Sequence, residues 1–308
     1  MTTTRKENET DANGVKPKYD PGFTDKVIAA TGPKANPRLK QIMPSLLRHL
    51  HDFAREVDLT VAEWTVGVDL INEAGLKSTD QRNETGLLCD ILGLESLVDE
   101  ITSKLLRDAD GESAATPSAV LGPFYREDAP ILPNDSSIIF ASPDSDWYKQ
   151  AEPLLAHVSG RVVSASTGKP IPDAIVDVWL AGPNGLYEQQ DEAQPDMNLR
   201  GRFRTDGEGR YALYCLRPTA YPVPSDGPAG RVLQLLDRHP YRPAHIHFIA
   251  SAAGFRTLTT QVFDREDAHV VDDAVFAVKD ELLVQFERRE QDDRARWELV
   301  YDFALGEV

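Results

Sequence analysis

Residues 157–182 read HVSGRVVSASTGKPIPDAIVDVWLAG, and the spacing of their apolar side chains decides what the second half of the chain is. A strand turns successive side chains to opposite faces. Ala174, Val176 and Val178 therefore share one face, while Ile175, Asp177 and Trp179 share the other. With the earlier apolar run and the Ser/Thr/Gly/Pro-rich turn between them, the stretch predicts strand, turn, strand. FRTDGEGRYALYCL (203–216) adds a strand reached through a Gly-rich turn, and TLTTQVF (257–263) another. Short strands at this spacing, with proline and glycine frequent between them, indicate a β-sandwich.

Upstream the period changes. Leu39, Ile42, Met43, Leu46, Leu50, Phe53 and Val57 recur at steps of three and four, one apolar helical stripe. Pro44 lies inside it, so a helix is expected to start or bend there. TVAEW (60–64) offers Thr60 and Glu63 as a capping box, with Gly75 as the expected stop of that helix. Two further apolar segments come next, through GLLCDILGL (86–94) and through Leu97, Ile101 and Leu105. The expected fold is α+β: a disordered polar tail (1–22), a helical N-terminal region (23–110) and an all-β sandwich (111–308).

The net charge of −17, from 50 acidic and 33 basic side chains, repels phosphate backbones and speaks against nucleic-acid binding. The first twenty residues contain no apolar core of a secretory signal. Cys89 and Cys215 stand far apart in apolar settings, as expected of reduced thiols in a cytoplasmic protein.

Chemistry concentrates in YRPAHIHF (241–248). On a strand, His245 and His247 project together, and Ala244, Ile246, Phe248 and Ala250 project the other way. Two imidazoles on one face suit a transition metal. Acid–base catalysis and simple half-buried packing remain open for the pair. No serine or cysteine elbow supplies a nucleophile, and no HExxH or cysteine cluster supplies a zinc site. Tyr187, after the turn GPNG, and Tyr221, among prolines, are further donors or ordinary packing residues.

The ordered set GPFY (122–125), NGLYEQQ (184–190), NLRGRFRTD (198–206), AYPVPSDGPAG (220–230), RPAHIHF (242–248) and TLTTQVF (257–263) resembles the intradiol ring-cleaving dioxygenases, and within them the hydroxyquinol-cleaving branch. The resemblance spans nearly the whole chain. It implies Fe(III), one per subunit, held by Tyr187, Tyr221, His245 and His247. Phenolates are hard anionic donors, and two of them with hydroxide neutralise a ferric ion, so the cluster can be buried. It further implies a vicinal aromatic diol and O2 as substrates, with Tyr221 released as a base. Arg242 would lie over the reacting ring, and Gln261 would be a second polar residue of the pocket.

The same resemblance assigns the pocket wall to Leu87, Asp90, Gly122, Pro123, Phe124, Val223, Pro224 and Val275. Catechol-specific relatives tend to carry proline where Asp90 stands and leucine where Phe124 stands. A carboxylate there would accept a hydrogen bond from a third ring hydroxyl, worth roughly 1.5–3 kcal/mol. Catechol or chlorocatechol is the alternative substrate, and a non-enzymatic Ig-like or transthyretin-like module the alternative class. The resemblance also implies a homodimer through the helical region, with phospholipid bound at its interface.

Overall fold

The computed structural model describes residues 19–80, 82–110, 115–290 and 293–308. Most of the expected polar tail, residues 1–18, lies outside them. Among the described residues five helices come first: α1 (Phe23–Ala29), α2 (Pro37–Glu56), α3 (Val61–Lys77), α4 (Glu84–Ile91) and α5 (Leu94–Asp110). The chain divides into two compact units, one ending at Leu70 and one beginning at Ile71, so the division falls inside α3.

In the first unit, α2 opens on Asn36, whose side chain accepts the N–H groups of Arg38 and Leu39, and Pro37 takes the first turn, where a missing N–H costs nothing. The helix starts well before Pro44 and runs through it. Its apolar stripe is not covered: Leu39, Ile42, Leu46, Leu50 and Phe53 are 41–53% exposed. The capping box of α3 forms as expected, with Thr60 N–H donating to Glu63 Oε2 (2.9 Å) and Glu63 N–H to Thr60 Oγ1 (3.3 Å). Gly75 does not end α3. The helix continues to Lys77, because Ser78 closes the last turn with N–H and hydroxyl bonds to the Ala74 carbonyl. No described helix is long and apolar enough to cross a membrane.

The second unit holds the strands: β1 (Ile131–Leu132), β2 (Ser136–Ser137), β3 (Leu155–Ser164), β4 (Ile175–Trp179), β5 (Arg200–Arg204), β6 (Arg210–Leu216), β7 (Tyr221–Pro222), β8 (Tyr241–Arg242), β9 (His245–Ser251), β10 (Leu258–Asp264), β11 (Leu283–Val284), β12 (Glu287–Arg288), β13 (Trp297–Val300) and β14 (Phe303–Leu305). Two short helices interrupt them, α6 (Asp146–Ala151) and α7 (Pro228–Leu235). One sheet runs β1-β5-β4-β9-β10-β11 and the other β12-β13-β3-β6-β2, with β14 also on β3 and β7 paired to β8. The strands β3 and β4 of the opening stretch are consecutive, yet they belong to different sheets. The turn between them crosses the sandwich instead of closing a hairpin.

The predicted alternation holds. Ala174, Val176 and Val178 join Ile246, Phe248, Ala250 and Val262 in the core, against Val158, Val162, Leu213 and Phe303 of the other sheet. The opposite face of the first sheet carries Asp177, Trp179, His245, His247 and Gln261. On that side, α4 is pinned by Glu84, which is fully buried. Glu84 Oε2 accepts from Arg82 Nε (2.8 Å), and Glu84 Oε1 accepts the N–H of Ala229 at the start of α7 (3.1 Å).

Candidate metal centre

Four side chains meet on that outer face. The backbone places His247 of β9 between Trp179 of β4 and Gln261 of β10, and sets His245 opposite Phe263. Tyr187 ends the Gly182–Gly185 turn, and Tyr221 lies on β7. The Tyr187 hydroxyl is 3.1 Å from the Tyr221 hydroxyl and 3.1 Å from His247 Nε2. His245 Nε2 is 3.1 Å from His247 Nε2 and 3.4 Å from the Tyr221 hydroxyl. Two glycines make room for this. A Cβ on Gly185 (φ +78°) would stand 2.9 Å from Tyr221 Cβ, and one on Gly122 (φ +77°) 3.1 Å from His247 Cε1.

The donor set fits a metal ion. His245 Nδ1 lies 2.7 Å from the Pro243 carbonyl, which can only accept, so the ring proton is on Nδ1. Arg242 Nη1, which can only donate, sits 3.1 Å from Nε2 and agrees with that tautomer. Nε2 thus presents a lone pair to the cluster. Burial drives both imidazoles far below their ordinary pKa, and the charge of Arg242 adds to the effect, so both are neutral. Burial likewise raises both phenols, with Tyr187 also raised by its Tyr221 neighbour. A cation at the meeting point reverses that preference, because it favours the phenolates. Trp179 stacks on the His247 ring (4.6 Å, 11°) and holds its orientation.

Arg242 is buried, not a surface ion-pair partner. Its Nε lies 3.3 Å from Asp273 Oδ1, and its Nη2 donates to Gln261 Oε1 (2.8 Å). Gln261 in turn donates to the Val120 carbonyl (2.6 Å). Burial alone would lower the Arg242 pKa, but Asp273 and the two tyrosines outweigh it and the net shift is upward. Asp273 also accepts the N–H groups of Val275 (3.2 Å) and Ala277 (3.0 Å), which fixes the loop bearing Val275.

A narrow cleft opens beside the cluster. Its walls bring together Leu87, Asp90, Gly122, Pro123, Phe124, Val223, Pro224 and Val275, with Tyr221 and Arg242 also lining it; Val120 joins them without having been expected. Asp90, from α4, is 3% exposed, and its Oδ1 has no hydrogen-bond partner. Burial and a hydrogen bond to Glu95 push its carboxyl up to about 9. Burial thus favours the protonated form of Asp90. Wider grooves of about 550 and 610 Å³ lie elsewhere, and none of the four donors lines either. A second group of possible ligands, His239, His269 and Asp272, is accounted for by hydrogen bonding: Asp272 contacts His239 Nε2 at 3.2 Å and His269 Nδ1 at 3.1 Å.

A sandwich with two tyrosines and two histidines converging beside a narrow cleft defines a class that known proteins share. A profile described as catechol dioxygenase N terminus matches residues 36–109, and one described as dioxygenase matches residues 121–307. Catechol 1,2-dioxygenase of Candida albicans is 44% identical over 92% of this chain and 91% of its own. Hydroxyquinol 1,2-dioxygenase of Rhizobium sp. is 40% identical, covering 91% and 93%. The crystal structure of hydroxyquinol 1,2-dioxygenase from Pseudomonas putida superposes with a TM-score of 0.78 at 37% identity, covering 92% of this chain and 97% of that one. The chain belongs to the intradiol ring-cleaving dioxygenases, and it is an enzyme.

Asp273, Trp179 and Glu95 escaped the sequence reading. Only Asp273 left a local trace, an aspartate preceding a proline-free turn whose N–H groups it caps.

Proposed function

We propose that the protein cleaves hydroxyquinol between its vicinal hydroxyls, adding both atoms of O2 to give 3-hydroxy-cis,cis-muconate or its keto form, maleylacetate. Tyr187, Tyr221, His245 and His247 would hold one Fe(III) per subunit. When bound, the ion would supply the positive charge that ionises the phenols and the diol and would accept electron density from the ring. The carrying observation is the convergence of those four donors, one of which, Tyr221, also lines the cleft.

The remaining work falls to the chain. Tyr221 lines the cleft, so its oxygen is positioned to take a proton from an entering hydroxyl. The Arg242 guanidinium, locked by Asp273 and Gln261, presents fixed positive charge to negative charge developing on the ring. Asp90 Oδ1 is the free acceptor for a third hydroxyl. Leu87, Val223, Pro224 and Val275 give the cleft apolar walls that exclude water.

A second reading, catechol or a chlorocatechol as substrate, is favoured by the identity to the Candida albicans catechol enzyme. Steady-state rates with hydroxyquinol, catechol and chlorocatechols under O2 decide between them. Purified protein should be wine-red from phenolate-to-iron charge transfer. A colourless, inactive iron-loaded preparation would refute the metal reading.

We further infer that residues 23–110 form a dimerisation region, with phospholipid at the interface, supported by the uncovered stripe of α2. A cytoplasmic location is supported by Cys89 and Cys215, both free thiols.

A further inference from the structure

Arg200 lies outside both the donor cluster and the cleft, at the start of β5, and it is 1% exposed. Its Nε donates to Glu188 Oε2 at 2.7 Å and its Nη2 to Gln189 Oε1 at 2.7 Å. Those two acceptors are the residues directly after Tyr187 and begin the 3₁₀ turn Glu188–Gln190. Both bonds therefore grip the turn that carries one proposed ligand. The turn is closed from its other end, where the Tyr187 N–H donates to Gln190 Oε1 (3.1 Å). Glu188 is held again by Arg126, whose Nη1 reaches its other oxygen at 2.7 Å.

Two further observations set this arginine apart from a space-filling ion pair. Its third nitrogen, Nη1, is buried without a hydrogen-bond partner, and the guanidinium carbon is 5.7 Å from the centre of the Tyr187 ring. A buried donor left unpaired is costly, and attraction of the cation to the Tyr187 ring offsets part of that cost. The backbone delivering it is also strained. Met197 and Leu199 both adopt φ of 60°, a left-handed conformation that bulky residues avoid. Asn198 between them is anchored by accepting the N–H groups of Phe140 (2.7 Å) and Ala141 (3.2 Å). Tyr221 instead sits on a two-residue ladder opposite Arg242 and lines the cleft.

The geometry points to Arg200 as the positioning residue of Tyr187: it locks the turn bearing that donor and fixes a positive charge beside its ring. This inference rests on the proposed ligand set. A purely structural arginine would change stability on replacement and leave the Tyr187 signal alone.

The test uses iron-loaded full-length protein carrying R200Q or R200K, each also combined with Y221F, which leaves Tyr187 as the sole tyrosinate. Bound iron, the charge-transfer band and the tyrosinate C–O stretch by resonance Raman are measured. R200Q should shift the Tyr187 band and weaken iron binding by about 10–100-fold, with R200K, which keeps the charge, lying between it and the parent. Identical spectra and iron affinity in R200Q and the parent would overturn the inference. If R200Q does not fold, E188Q, which weakens the same clamp, must shift the band; an unchanged E188Q spectrum overturns it equally. A parent protein without any tyrosinate band would instead sink the ligand set itself.

Discussion

Replacing Asp90 tests the substrate reading most directly. Its Oδ1 is buried and unpaired at the edge of the cleft, and burial and Glu95 push its carboxyl well above the usual carboxylate range, favouring the neutral form. A neutral acceptor gains ~0.5–1.5 kcal/mol from a good hydrogen bond, and leaving it buried and unpaired costs ~1–3 kcal/mol. Hydroxyquinol would satisfy it and catechol would not. The difference at the transition state is then about 1–3 kcal/mol, or about 5–150-fold in the ratio of the two kcat/KM values. Asp90→Leu and Asp90→Pro remove the acceptor and should lower the ratio by that factor. Asp90→Asn keeps a carbonyl at the same place and should hold the ratio to within about threefold. Initial rates by oxygen uptake with both substrates, at matched iron content, give the ratio for each variant. An unchanged ratio in Asp90→Leu would remove Asp90 as discriminator. A collapse in Asp90→Asn as deep as in Asp90→Leu would mean that an ionised carboxylate is the acceptor, contrary to the argument from burial.

The same residue predicts a pH effect on stability. The folded state holds the Asp90 proton up to about pH 9, whereas the unfolded chain releases it near ~3.9. Folding therefore loses stability as pH rises between those values, and Asp90→Asn should gain on the parent from pH 5 to pH 9 in urea titrations; parallel curves would contradict it. Asp273→Asn leaves Arg242 buried without its counter-charge and should cost ~3–5 kcal/mol, with the double variant Arg242→Gln/Asp273→Asn losing less than the sum of the singles. Gly185→Ala forces a Cβ against Tyr221 at a positive φ, so bound iron per chain should fall while the far-UV circular dichroism is kept.

Much of this architecture is dictated by local pattern. Period-two alternation sorted Ala174, Val176 and Val178 into the core and the two histidines onto the opposite face, because side-chain direction on a strand needs no tertiary information. The Thr60–Glu63 capping box is equally local. Gly75 misled, since the bonds from Ser78 to Ala74 carry the helix past it, and a lone glycine gives no sign of them. Trp179 and Arg200 were silent for another reason, and Asp273 betrayed only the turn that it caps. Each acts on a residue at least 11 positions away, Arg200 on Gln189 being the nearest, and neither the strand pairing of Trp179 with His247 nor the side-chain bonds of Asp273 and Arg200 have a local signature. The protonation of Asp90 was illegible too, because it depends on burial and on Glu95, one helix further on.

The anchoring of α4 by Glu84 has a consequence for how such an enzyme changes its diet. The donors stand on β-strands and on turns tied to them, whereas Leu87 and Asp90 come from an eight-residue helix bolted to α7 by a carboxylate that does not face the cleft. A wall mounted separately from the reactive floor can be exchanged as a cassette. Grafting residues 84–91 from a relative, with Glu84 retained, would redirect which rings are accepted and leave the oxidative chemistry beneath untouched.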